Sequence, residues 1–386
     1  MAGKRAREGR PLYVPPPGSA PLSFQYLPLE GTTPDGKPSE SGDPANPPLA
    51  GPVITPPFVA LLMEPFSRLH WELAYLVWRI VTALACIVAL IFSLDLAGEK
   101  KYLFAQIAIG VGVLTAFFPF KEQLQIGQID CLTILTWVMG TWFFMRNRPA
   151  ASSLFFVIGA AVKVTPILVV PLMLMRRQWR WLASYALWGL AILGLSIWSL
   201  GWENHVIWAT RISPLLSCGD KFFANRSLPG LVLGVCNPRE LVGSHQVSTG
   251  ICLFNKALSA LCLLGFLGWS WTKRKDAGGL AHELVLMTLV CLLLSPISWR
   301  QHYILAVLPL VYFWVKTAHE ANKLEIGLVS VATLVFGIAL PEYIAPVLGP
   351  FFELLVMALW VGSAGGLIWL GMRMYDRCVP SLQPPN

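Results

Sequence analysis

Four cationic or titratable residues stand out in this apolar chain: Lys163, Arg226, Arg300 and His302. Lys163 lies in the middle of the apolar stretch Ala151–Met175, within Lys163-Val164-Thr165-Pro166, so a charge and a helix breaker share one turn. Arg226 belongs to Asn225-Arg226-Ser227-Leu228. Arg300 and His302 belong to Ser295-Pro296-Ile297-Ser298-Trp299-Arg300-Gln301-His302. Ionisable groups at membrane depth are costly and mark sites. Ammonium and guanidinium groups that converge at a water–membrane boundary can hold a phosphate, and a phosphate there is a lipid phosphate. Gln128, Asp130, Pro166, Asn225, Ser227 and Trp299 are the polar or chain-breaking residues expected to line the same cavity. Each also has a plain structural reading. Gln128 can bond a neighbouring helix, Asp130 can be buried against a Lys or Arg, His302 can be a lone packing imidazole, and Arg300 can anchor at the interface.

The elements that must position these residues follow from charge. Arg146 and Arg148 precede Ala151–Met175, and Arg176, Arg177 and Arg180 follow it. Basic residues flank the cytoplasmic ends of membrane segments. A segment basic at both ends therefore enters and returns. Half-helices of about 12 residues reach only ~18 Å, too short for a core of about 30 Å. The spacing predicts a re-entrant half-helix hairpin at 151–175 with Lys163 and Pro166 at its tip. The alternative is one kinked span with basic loops on both sides.

Composition bounds the class. The chain has 386 residues, 55% hydrophobic and only 13% charged, where soluble domains carry about 25% charged residues. This is an all-α polytopic membrane protein. The net charge of +8 sits in short loops, where topology and anionic lipid account for it without nucleic acid. No CxxC or His/Cys spacing indicates a metal site, and no cofactor is expected. About ten to eleven membrane segments are predicted: Trp71–Leu94, Tyr102–Phe118, Gly127–Met145, the broken pair, Trp181–Leu200, Gly250–Trp271, His282–Ser298, Tyr303–Val315, Ile326–Leu340 and Phe351–Met372. Residues 1–56 read as an irregular Pro/Gly-rich external segment, 57–375 as the transmembrane domain and 376–386 as a cytoplasmic tail. The stretch Phe120–Asp130 reads as a very polar external link. Cys218 and Cys236 fall in one long external loop, where they form a disulfide or stay as two thiols. Cys86, Cys131, Cys252, Cys262 and Cys291 read as apolar packing.

Several pieces occur in a recognisable order: Thr55-Pro56-Pro57-Phe58 with Glu64-Pro65-Phe66, Gly127-Gln128-Ile129-Asp130, Ala161-Val162-Lys163-Val164-Thr165-Pro166, Asn225-Arg226-Ser227-Leu228, and the Ser295–His302 run. Together, over about residues 52–320, they resemble the polyprenol-phosphate-mannose-dependent mannosyltransferases of the GT-C glycosyltransferase superfamily. That group includes actinobacterial envelope mannosyl- and arabinofuranosyltransferases. The resemblance implies a GT-C-type bundle in a bacterial plasma membrane, with its site on the outer face. It implies inverting transfer of mannose or arabinofuranose from a lipid-phosphate sugar donor to an envelope glycolipid or glycan acceptor. Lys163, Arg300, His302 and Arg226 would then bind the donor phosphate. The family's base is an Asp on the first external loop after a first helix, in a setting like Asp-x-x-x-Tyr. Neither that helix nor that setting is visible here, which raises the expectation of a truncated or mis-started chain. Asp43 and Asp35 are the nearest candidates for the base, with Glu30, Glu40, Glu122 and Asp130 as further carboxylates. An inactive relative acting as a partner in envelope assembly, and a transporter of lipid-linked substrate, are the competing functions.

Overall fold

Apolar runs broken by proline, glycine and charge give helices almost everywhere. The computed structural model of the chain describes residues 6–9, 12–13, 55–98, 103–219, 225–236, 247–274, 276, 279–320, 323–337 and 349–378. Asp35 and Asp43, with most of the 1–56 segment, lie outside the described residues. Among the described residues there is no strand, only an isolated antiparallel bridge between Asn225 and Trp299.

The helices are α1 (Pro57–Met63), α2 (Trp71–Ala97), α3 (Leu103–Ala116), α4 (Phe118–Ile126), α5 (Asp130–Met145), α6 (Pro149–Val162), α7 (Val169–Met175) and α8 (Trp179–Leu200). They continue with α9 (Trp202–Ile207), α10 (Leu228–Cys236), α11 (Thr249–Thr272), α12 (Gly279–Leu294), α13 (Val307–Glu320), α14 (Lys323–Gly337) and α15 (Pro350–Cys378). Among the described residues, α2, α8, α11 and α15 are long and apolar enough to cross a membrane. Helices α3 and α4, bent 64° at their junction, make a fifth span if taken together. The protein is therefore an integral membrane protein of several passes.

The polar stretch Phe120–Asp130 is helical rather than the open link that its composition implies. It is mostly α4. Pro119 opens that helix, where a missing N–H costs nothing. Gly127 closes it at φ 68°, a left-handed conformation that suits glycine. Phe120 and Gln123 face inward, and Lys121 and Gln125 stay exposed, so an amphipathic pattern was hidden by polar residues on the outer side.

Helices α5 and α6 form an antiparallel pair joined by the short turn Arg146-Asn147-Arg148, with Asn147 at φ 55°. Their approach is close. A Cβ on Gly140 would come within 2.6 Å of Phe156, and one on Gly159 within 2.7 Å of Thr136 Oγ1. Trp137, Phe156 and Trp181, all fully buried, meet edge-on with centroids 5.4 and 5.8 Å apart, tying α8 to the pair. After Val162 the chain turns extended at Lys163, passes a 3-10 turn (Thr165–Leu168) and resumes in α7. Helix α8, which follows, packs on the start of α6, where Trp181 Nε1 donates to Ser152 Oγ (3.0 Å) and Trp188 Nε1 to the Ala150 carbonyl (3.1 Å).

Helix α12 is buried on nearly every side and forms the centre of the core. It ends at Leu294, immediately before Ser295-Pro296, as a following proline dictates. The disulfide joins Cys218 to Cys252, with Cα atoms 4.7 Å apart, and not to Cys236. Cys252 therefore does not belong with the packing cysteines. It lies in the first turn of α11, where that helix emerges beside the loop, whereas Cys236 is a free, exposed thiol at the end of α10. Cys262, also read as packing, is exposed on an outer face of α11. The short piece Leu12-Tyr13 docks on this same region. The Leu12 N–H donates to Asn204 Oδ1 (2.9 Å), and Leu12 and Tyr13 pack with Ala60 and Ile212.

Candidate active site

Because α5 and α6 run antiparallel with a three-residue turn, the start of one and the end of the other must lie together. Those positions are Asp130 and Lys163, and their side chains form an ion pair. The carboxylate is 1% exposed and the lysine side chain 21%, so the acid is sealed in while the ammonium reaches a small cavity. That cavity is also bounded by Thr165, Ser295, Ser298 and His302. Gln123 of α4 donates from one amide nitrogen to both Asp130 Oδ2 and the Gln301 carbonyl, each at 3.0 Å. His302 Nε2 stands 3.7 Å from Asp130 Oδ2. One buried carboxylate thus gathers a lysine, a histidine and a glutamine from three separate elements. Removing either member of a buried ion pair leaves an uncompensated charge at a cost of about 3–5 kcal/mol.

The Asn225–Ser227 turn and the Ser295–His302 run are built into each other. Asn225 Nδ2 donates to the Pro296 carbonyl (3.0 Å), and Asn225 Oδ1 accepts from the Ser298 N–H (3.0 Å) and Ser227 Oγ (2.8 Å). The Arg226 N–H donates to the Ser298 carbonyl (2.7 Å), and Tyr303 OH donates to the Arg226 carbonyl (2.7 Å). A Cβ on Gly230 would fall 2.7 Å from Asn225 Cγ, so only glycine allows α10 to start this close. Pro296 prevents helix and exposes the loop carbonyls that Asn225 reads. The indole of Trp299 lies 5.9 Å from the His302 ring, nearly parallel to it, so one face is already covered.

Lys163, Arg226, Arg300 and His302 all lie in or beside this assembly, but none of the cations waits bare for an anion. Lys163 pairs with Asp130, Arg300 with Glu122 at 2.8 Å, and Arg226 with Glu353 at 3.3 Å. Arg300 is buried and stands over the Phe118 ring at 5.2 Å, which makes it more than an interfacial anchor. Pro166 packs beside Gly159 at the break between α6 and α7. Gln128 lies between the Gly127 turn and Asp130, half-buried, and it is Gln123 that makes the contact to the cluster. Sequence reading passed over Gln123 and Glu353. Gln123 has a signal, since it stands one α4 turn from Phe120 on the buried face. Glu353, on the last helix, has none. Among the described residues no group of His, Cys, Asp and Glu has the arrangement to hold a metal ion.

A polytopic helical membrane protein with a carboxylate-anchored lysine at a broken helix defines the class. The chain belongs to Glycosyltransferase family 87, which it matches over residues 54–296. It is similar to the polyprenol-phosphate-mannose-dependent alpha-(1-2)-phosphatidylinositol pentamannoside mannosyltransferase of Mycobacterium tuberculosis, 26% identical over 262 residues, covering 66% of this chain and 56% of that protein. It is also similar to the protein of the same name from Mycolicibacterium smegmatis, 25% identical over 264 residues, covering 66% of this chain and 58% of that protein. The chain thus spans a little over half the length of these relatives.

Proposed function

We propose that the chain transfers a sugar, a mannose-like hexose or arabinofuranose, from a polyprenyl-phosphate donor to a glycolipid or glycan acceptor at the outer face of the membrane. The observation that carries this is the Asp130–Lys163 pair: a sealed carboxylate fixes a partly exposed ammonium at the break between α6 and α7. Membership of Glycosyltransferase family 87 and the donor named for the two mycobacterial relatives support the lipid-phosphate substrate. The acceptor hydroxyl attacks the anomeric carbon from the face opposite the phosphate, with inversion. The carbon–oxygen bond to phosphate breaks, the electron pair leaves on the lipid phosphate, and the hydroxyl proton passes to a carboxylate. Lys163, with Arg300, Arg226 and His302 around it, stabilises the negative charge growing on the departing phosphate.

Asp130 already accepts from Lys163 and Gln123, so its role in this scheme is to aim Lys163 rather than take the proton. We assign the base to the carboxylates ahead of Thr55, with Asp35 and Asp43 the candidates. The re-entrant course of 149–175 belongs to the same proposal and is supported by the Trp181–Ser152 bond that ties α8 to the start of α6. Counting the shorter apolar helices α5, α6, α7 and α12 with the five spans gives nine segments, and α13 and α14 would bring the bundle to ten or eleven, with both basic turns on one side. The test is transfer of radiolabelled mannose from polyprenyl-phosphate mannose in membranes carrying the full chain. Lys163→Ala should lower transfer by about 100-fold or more, the scale of losing one preorganised charge partner. Undiminished transfer by a well-inserted Lys163→Ala protein refutes the role.

A further inference from the structure

Two buried arginines in this molecule are treated very differently by their carboxylates. Arg176 lays Nε and Nη2 on separate oxygens of Glu283, at 3.0 and 2.9 Å, and gives Nη1 to the Lys273 carbonyl at 2.7 Å. That is a filled guanidinium fork at the distances of strong charge-assisted bonds. Arg226 has nothing comparable. Both of its Nη atoms reach one oxygen of Glu353, each at 3.3 Å, and its Nε is buried with no hydrogen-bond partner. Its side chain is only 4% exposed. An unsatisfied donor on a buried charge is costly, so the pair as it stands is a poor resting place for a guanidinium.

The arginine is nevertheless held firmly. Its backbone is bonded on both sides, to Ser298 and Tyr303, and Asn225 clamps the turn. Glu353 comes from elsewhere, the first turn of α15, beyond the residues matched to the family. We propose that Glu353 is a placeholder anion, which occupies Arg226 loosely and yields it to the phosphate of a lipid. A phosphate has several oxygens and can take Nε and Nη together, which the single Glu353 oxygen does not. The inference rests on the reading above that lipid phosphate enters this site. The phosphate can be the donor's polyprenyl phosphate or the headgroup phosphate of an acceptor lipid.

The test measures equilibrium binding to the purified full chain of farnesyl phosphate, as the donor-type probe, and of phosphatidylinositol in nanodiscs, as the acceptor-type probe. Glu353→Gln removes the competing charge and should lower Kd by about tenfold, a step of about 1.4 kcal/mol. Tightening for farnesyl phosphate alone assigns the site to the donor, and tightening for phosphatidylinositol alone assigns it to the acceptor. Unchanged or weakened binding of both overturns the proposal. Should the Gln variant fail to fold, Glu353→Asp keeps the charge but draws it back from Arg226. It should also tighten binding, and equal or weaker binding by that variant overturns the idea equally. Sugar transfer separates the two readings. Wild-type protein that transfers sugar while Glu353→Gln keeps the wild-type Kd refutes the placeholder alone. Wild-type protein that binds farnesyl phosphate with the predicted Glu353 effect, yet transfers nothing, refutes the transferase alone.

Discussion

Asp130 is the residue on which the site turns, because among the described residues it is the carboxylate that touches Lys163, Gln123 and His302 together. Its effect on stability and its effect on chemistry are separable. Lys163→Ala alone strands a buried anion, so part of its defect will be in folding, at a cost of about 3–5 kcal/mol. Adding Asp130→Asn removes that anion. The double variant should recover most of the lost thermal stability while transfer stays as low as in Lys163→Ala. A double variant no more stable than the single one would show that the pair is not a buried charge couple. Lys163 was legible from sequence because a lysine in apolar sequence beside a proline has few explanations. The partners were less so. Asp130 read equally as packing, base or cavity wall until α5 and α6 were seen antiparallel, and Glu353 carried no signal among ordinary helix residues. Asp35 and Asp43 lie outside the described residues, and their place rests on the scheme above.

At the scale of elements, the site depends on how closely α5 and α6 approach. Gly140 and Gly159 permit that approach, since a Cβ at either would meet Phe156 or Thr136 well inside van der Waals distance. Gly159→Leu should push the helices apart at a cost of about 1–3 kcal/mol and draw Lys163 from Asp130. We expect transfer to fall at least tenfold with membrane insertion intact, and normal transfer would mean that the register is not set there. The same elements decide the course of 149–175. Charge alone predicted a hairpin, and α8, which follows it, is tethered to the start of α6 at Ser152 and Ala150. Single cysteines at Asn147 and Gln178, in a background lacking exposed thiols, should label from the same side of the membrane. Labelling from opposite sides would make the stretch one kinked span. Where sequence reading failed at this scale, at α4, the failure had a cause. Polar residues on its exposed face masked the buried Phe120 and Gln123, and only Pro119 and Gly127 marked the ends.

At the scale of the whole molecule, α11 supplies a ruler. Its 24 residues span about 36 Å at 1.5 Å per residue, enough to cross the hydrocarbon core. Cys252 lies in its first turn, bonded to Cys218, and Lys273 follows its last residue, where Arg176 donates to the Lys273 carbonyl. The disulfide and the basic cluster therefore sit at opposite ends of one membrane-length helix. Asn255, one turn into α11 from Cys252, donates to the Pro229 carbonyl at 3.4 Å, three residues from Arg226, so the candidate site shares the disulfide's end. Basic residues mark the cytoplasmic side, and disulfides persist on the oxidising side. Two unrelated pieces of chemistry thus support the proposed orientation, in which Arg226 and its neighbours would face outward. Closing a loop of sequence separation 34 is worth about 4 kcal/mol on the chain-entropy account. In protein alkylated without reductant and then digested, Cys218 and Cys252 should appear in one cross-linked peptide pair and Cys236 as an alkylated thiol. Cys218→Ser should lower thermal stability and expose Cys252 to alkylation by a membrane-impermeant reagent added outside intact cells. A peptide linking Cys218 to Cys236 would overturn the pairing, and labelling of Cys252 only after the cells are opened would reverse the orientation argued here and move the site to the other face.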